Sequence, residues 1–188
     1  MIYIFDLDLT IWDTFDKYHN QIWAKQLIPP YKLDGDVVTD DVFSTCTLRK
    51  GVREYIRHLV NEGHELGFIS VGAYYGLPFG SQPSYNMLTL FDIYHYFDNP
   101  QTLKYKLYDK TETVKQLDGK VVFYDDSPKV LEALKTYDNV IAVDSTNIRE
   151  HLSQLSTASR LPDSTNFRDH LSVMTAVGCQ ILQILENN

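Results

Sequence analysis

Three short apolar runs in this chain each empty directly into polar residues able to carry chemistry. Ile2, Tyr3, Ile4 and Phe5 lead into Asp6-Leu7-Asp8-Leu9-Thr10, Leu66 to Ile69 into Ser70-Val71-Gly72, and Val121, Val122, Phe123 and Tyr124 into Asp125-Asp126. Runs this short, rich in β-branched and aromatic residues, read as buried strands. Between them, Val52, Tyr55, Ile56, Leu59 and Val60 follow one helical face and stop at Glu62-Gly63. Lys110 to Leu117 predicts a short helix, and Ser127-Pro128 is a helix entry with Val130, Leu131 and Leu134 on the buried face. Val140 to Val143 predicts one more strand. This alternation favours a three-layer, Rossmann-like α/β fold, a parallel sheet with helices on both faces.

The chain of 188 residues is long enough for one such domain and too short for two full-sized ones. Residues 1–145 form the expected core. Within it, 12–48, punctuated by Pro29-Pro30 and Asp34-Gly35-Asp36, reads as a small excursion, with Trp12 to Ile28 outside the core. Residues 146–188 carry Phe167, Leu171, Met174, Gly178, Ile181 and Leu185 at helical spacing. They predict a C-terminal helical extension that packs on the core or makes a homodimer contact.

Net charge is −8, from 17 basic and 25 acidic residues, with no lysine- or arginine-dense run. That argues against a broad grip on extended nucleic acid. Cys46 and Cys179 stand far apart and have no zinc-ligand spacing, so they read as reduced thiols. No basic n-region opens the chain, and no run reaches the ~18 apolar residues of a membrane span. The expectation is a cytoplasmic protein that makes no membrane contact.

Parallel strands would bring the three polar loops to one sheet edge. Asp6, Asp8, Asp125 and Asp126 would then converge, and no lysine or arginine lies between Met1 and Phe15 to neutralise the first pair. Such carboxylates repel unless a cation joins them, and oxygen-only ligands select a hard ion such as Mg²⁺. An ion with spare coordination positions, a lysine and a small hydroxyl residue together suit a phosphate group. A calcium loop starting at Asp6 is discarded, because Ile11 and Lys17 stand where it needs glycine and glutamate.

The ordered set Asp6-x-Asp8-x-Thr10, Ser70, Lys110 and Asp125-Asp126 resembles the haloacid dehalogenase-like (HAD) phosphatase superfamily over residues 2–135. In its finer look it is closest to the magnesium-dependent phosphatase-1 type, with a minimal cap. The resemblance implies an HAD-like fold and a Mg²⁺-dependent phosphomonoesterase. It makes Asp6 the nucleophile, Asp8 the general acid and base, and Thr10 a support of the loop. Ser70, Val71 and Lys110 would bind phosphate. Asp6, Asp8 through its main-chain carbonyl, Asp125 and Asp126 would hold the metal. Lys104, Lys106 and Lys115 compete for the lysine role; Lys110 is preferred because Val114 and Leu117 place it at the start of a packed helix. The expected substrate is a small phosphate ester such as a nucleotide, a sugar phosphate or a phosphotyrosine. Ser70-Val71-Gly72 lacks the arginine common at this loop in the phosphatase-1 type, so no particular ester is inherited. The alternative is a regulatory module that binds phosphate or accepts a phosphoryl group without turnover, which the order of the motifs opposes.

Overall fold

The computed structural model describes residues 1–70, 83–97 and 110–145. Its elements run β1 (Ile2–Phe5), β2 (Trp12–Phe15), β3 (Lys32–Asp34), β4 (Val37–Thr39), β5 (Thr45–Leu48), α1 (Val52–Asn61), β6 (Glu65–Phe68), α2 (Pro83–Leu90), α3 (Lys110–Val114), β7 (Val121–Asp125), α4 (Pro128–Leu134) and β8 (Val140–Asp144). Four strands form a parallel sheet in the order β6-β1-β7-β8, flanked by helices.

Register fixes what this sheet presents at its carboxyl edge. Phe5 pairs with Phe68 on one side and with Tyr124 on the other. The ladder runs one step further, as the Asp6 N–H donates to the Tyr124 carbonyl at 2.8 Å and the Ile69 N–H to the Phe5 carbonyl at 2.9 Å. From β1 the chain pairs first with β6 and then crosses to β7 on the opposite side. The carboxyl end of β1 is therefore the point where the strand order reverses, the crevice in which open α/β sheets place ligands.

Alternation along the strands divides the core into two layers. Phe5, Leu66, Phe68, Val122 and Tyr124 pack with Val52, Ile56 and Leu59 of α1 and Met87 and Leu88 of α2. Ile4, Val121 and Phe123 pack on the other face with Val114 of α3 and Leu134 of α4. Each fully buried side chain of this size contributes roughly 1.5–3 kcal/mol. The α1 stop is a Schellman turn, in which Gly63 at φ +77° and His64 donate to the Val60 and Leu59 carbonyls.

Within 12–48 one expectation is corrected: Trp12 to Ile28 does not lie outside the core. Residues 12–48 build a second, antiparallel sheet in the order β2-β5-β4-β3, with Gly35 at φ +58° in the tight β3–β4 turn. Trp12, Ala24, Leu27, Val38, Cys46 and Leu48 are buried in the same cluster as Phe5 and Phe68. Its strands are three or four residues long and bring only one or two apolar side chains each, too few for a periodic signal. The expected 146–188 helix lies outside the described residues. Among the described residues, no helix is long and apolar enough to cross a membrane.

Candidate functional site

The loop after β1 is tight and heavily bonded. The Leu7 carbonyl accepts from the N–H groups of Thr10, Ile11 and Trp12 at 3.2, 2.8 and 3.3 Å, and the Leu9 N–H donates to the Trp12 carbonyl at 2.8 Å. Leu9 sits at φ +64°, a left-handed conformation that costs a side-chain-bearing residue about 1–2 kcal/mol. The surrounding bonds hold it there, joined by the Ser145 hydroxyl, which donates to the Leu9 carbonyl at 3.2 Å. The result is a fixed turn that carries Asp6 and Asp8 with Leu7 and Ile11 buried beneath it.

At the reversal point, Lys110 at the start of α3 places its ammonium 2.9 Å from Asp6 Oδ1 and 2.6 Å from Asp125 Oδ2. All three side chains are buried. The other Asp125 oxygen accepts the Ser127 N–H at 2.8 Å, which ties the strand end to the entry of α4. Asp126 is half-buried, and oxygens from Asp6, Asp125 and Asp126 all lie within 4.8 Å of one another.

Burial pushes the Asp6 carboxyl up to about 7; Lys110 opposes this, while the charges of Asp125 and Asp8 add to it. Burial likewise raises Asp126, with Asp125 reinforcing. For Lys110, burial alone would lower the ammonium, but Asp6 and Asp125 outweigh it and the net direction is upward. Three carboxylates thus face one ammonium, and two of them are held above their ordinary range. A hard dication fits this set: its donors are all oxygen, they are close enough to share one ion, and their charge is under-compensated.

Asp8 has a different environment. Its Oδ1 accepts the indole N–H of Trp12 at 3.1 Å and the backbone N–H of Ala24 at 2.8 Å. Burial raises its pKa, and these two bonds pull the other way. The Asp8 carboxylate is not part of the three-acid group, which leaves only its main-chain carbonyl for the metal role expected of it.

The structure therefore gathers Asp6, Lys110, Asp125 and Asp126, with Asp8 on the adjoining loop, and the β6 register carries buried Ser70 to the same sheet edge. Thr10 supports the loop through its backbone; its hydroxyl is buried without a hydrogen-bond partner among the described residues. Of the competing lysines, Lys115 is exposed and lies over the Tyr137 ring at 6.0 Å, away from the acids. Val71, Lys104 and Lys106 lie outside the described residues.

Sequence reasoning missed three contributors. Trp12 and Ala24 reach Asp8 from β2 and from the 3₁₀ turn Ala24–Gln26. Arg49, just past β5, donates to Asp13 at 2.7 and 3.1 Å and to the Thr10 carbonyl at 3.4 Å, bracing the loop from outside. None of the three carried a signal in the sequence: an aromatic residue, a backbone N–H and an arginine distant in sequence are each ordinary there. No protein-family model matches the chain, and no curated protein matches it.

Proposed function

We propose that this protein is a Mg²⁺-dependent phosphomonoesterase of the HAD-like type, acting on small phosphate esters through an aspartyl-phosphate on Asp6. The observation that carries the reading is the Asp6–Lys110–Asp125 array at the reversal point of a parallel sheet, with a second carboxylate, Asp8, two residues from the nucleophile.

Asp6 attacks phosphorus in line with the leaving oxygen, forming an acyl-phosphate O–P bond as the ester P–O bond breaks. Asp8 gives its proton to the departing oxygen, so the alcohol leaves neutral. Water then attacks the same phosphorus and passes its proton to Asp8. Inorganic phosphate and the Asp6 carboxylate are released, and Asp8 is again protonated. Lys110 and Ser70 hold the phosphoryl oxygens and draw off charge as it develops. The metal, held by Asp6, Asp125, Asp126 and the Asp8 carbonyl, would add positive charge against those oxygens and favour ionised Asp6. The net charge of −8 disfavours long polyanionic substrates and leaves nucleotides, sugar phosphates and phosphotyrosine within the class.

Hydrolysis of p-nitrophenyl phosphate should require Mg²⁺, stop on chelation and vanish in Asp6→Asn. Turnover without a divalent ion, or undiminished in Asp6→Asn, overturns the reading. A long-lived phospho-Asp6 that releases no phosphate identifies a phosphoryl-accepting module instead.

A further inference from the structure

We infer that Trp12 and Ala24 are positioning residues that clamp Asp8 by its Oδ1 and leave Oδ2 as the oxygen facing the leaving group. The inference rests on the phosphomonoesterase reading above and adds to it the part played by the antiparallel sheet.

Both donors meet the same atom, the indole N–H at 3.1 Å and the Ala24 N–H at 2.8 Å. An sp² carboxyl oxygen has two lone pairs, and two N–H bonds use both. Oδ1 then has no lone pair on which to carry a proton in transit. Oδ2 has no hydrogen-bond partner among the described residues. The two oxygens of Asp8 are thus made unlike: one is an anchor and the other a reactive atom.

The donors are rigidly mounted. Trp12 and Ala24 are both fully buried. Trp12 pairs with Leu48 of β5, and its ring lies 6.2 Å from that of Phe91. Ala24 opens a 3₁₀ turn closed by the Leu27 N–H onto its own carbonyl at 3.1 Å. A carboxylate clamped from two elements keeps one rotamer, so the acid is set before substrate arrives and no closing motion is needed to orient it. The 12–48 segment accordingly serves as the scaffold of the acid, in addition to filling the core.

Two single variants test the clamp. Trp12→Phe keeps an aromatic ring in the core and deletes one N–H. Ala24→Pro deletes the other where the backbone accepts proline, at the first position of the turn after an extended Trp23 (φ −99°, ψ 147°), and its ring carbon takes the place of the N–H that faced Oδ1 at 2.8 Å and so pushes the carboxylate from its seat. The readout is kcat/KM, which ends at release of the leaving group and excludes later hydrolysis of phospho-Asp6. Two substrates are compared. 2,4-Dinitrophenyl phosphate has a leaving group that needs no proton, whereas an alkyl phosphate such as glycerol phosphate has one that does. A misplaced acid should cost the alkyl ester about ten-fold or more in each variant while the dinitrophenyl ester loses no more than about three-fold. Equal losses on both substrates, or none on either, overturn the clamp. If wild-type protein hydrolyses neither ester with Mg²⁺, the phosphomonoesterase reading fails and the clamp fails with it.

Discussion

Lys110 Nζ lies 2.9 Å from Asp6 Oδ1, and both groups are buried. The same ammonium reaches Asp125 Oδ2 at 2.6 Å, so one lysine is the main local compensation for the acids around it. Breaking a buried ion pair by removing one partner costs about 3–5 kcal/mol, because the remaining charge stays desolvated. Lys110→Met should lose stability of that order in urea unfolding with chelator present. Mg²⁺ should restore part of it, since the ion supplies the missing positive charge. A loss below about 1 kcal/mol, or no recovery with Mg²⁺, contradicts this account of the cluster.

Asp126 is the acid on which metal binding can be tested with least damage to the fold. It is half-buried, whereas Asp125 is fully buried and tied to both Lys110 and Ser127. A ligand that binds only the folded state at 100 times its Kd stabilises by about 2.7 kcal/mol, and for a chain of this size each kcal/mol moves Tm by about 2–4 °C. Wild-type Tm should therefore rise with Mg²⁺. Asp126→Asn should need about ten-fold or more Mg²⁺ for the same rise while its Tm in chelator stays near wild type. Identical Mg²⁺ titrations would exclude Asp126 from the metal group.

The parallel sheet and the acids on it were legible because each signal was local: an apolar run of four or five residues followed at once by its polar loop. Lys110 was legible for a similar reason, since buried Val114 and Leu117 follow it, although the helix it begins ends at Val114 and Leu117 packs from the turn beyond, short of the expected Lys110 to Leu117 span. The antiparallel sheet was hidden because Trp-Asp-Thr-Phe and Thr-Cys-Thr-Leu are too short to show a period, and their pairing is decided by contacts distant in sequence. The Asp8 clamp was hidden for a different reason. Ala24 acts through its backbone N–H, which every residue but proline has, and Trp12 in sequence is indistinguishable from an ordinary core aromatic.

The pH dependence of stability should report the Asp6 environment directly. Its carboxyl rises from 3.8 to about 7 on folding, so between these values the native state holds a proton that the unfolded chain has lost. Stability then falls as pH rises through the window, the reverse of an ion-paired acid with a lowered pKa. Asp8 and Asp126, also raised by burial, act in the same direction. In chelator, the difference in unfolding free energy between wild type and Asp6→Asn should shift against wild type from pH 4.5 to pH 7.5. Saturating Mg²⁺ should reverse that shift by favouring ionised Asp6. A difference in chelator that does not change with pH would show that Asp6 is not held protonated by its surroundings.

Arg49 and Asp13 make the clearest pairwise test of how the loop after β1 is braced. The guanidinium donates twice to one carboxylate, at 2.7 and 3.1 Å, with side chains 10% and 23% exposed, and a third bond reaches the Thr10 carbonyl. Forked, charge-assisted bonds of this kind are worth more than a surface ion pair, and partial burial limits screening by salt. A double-mutant cycle with Arg49→Met and Asp13→Asn should give a coupling energy of about 1–3 kcal/mol in urea unfolding. Arg49→Lys should recover less than half of the Arg49→Met loss, because a lysine ammonium is a point charge and lacks the fork that grips both Asp13 oxygens. Full recovery by lysine would mean that charge alone braces the loop and that the two-bond geometry contributes nothing.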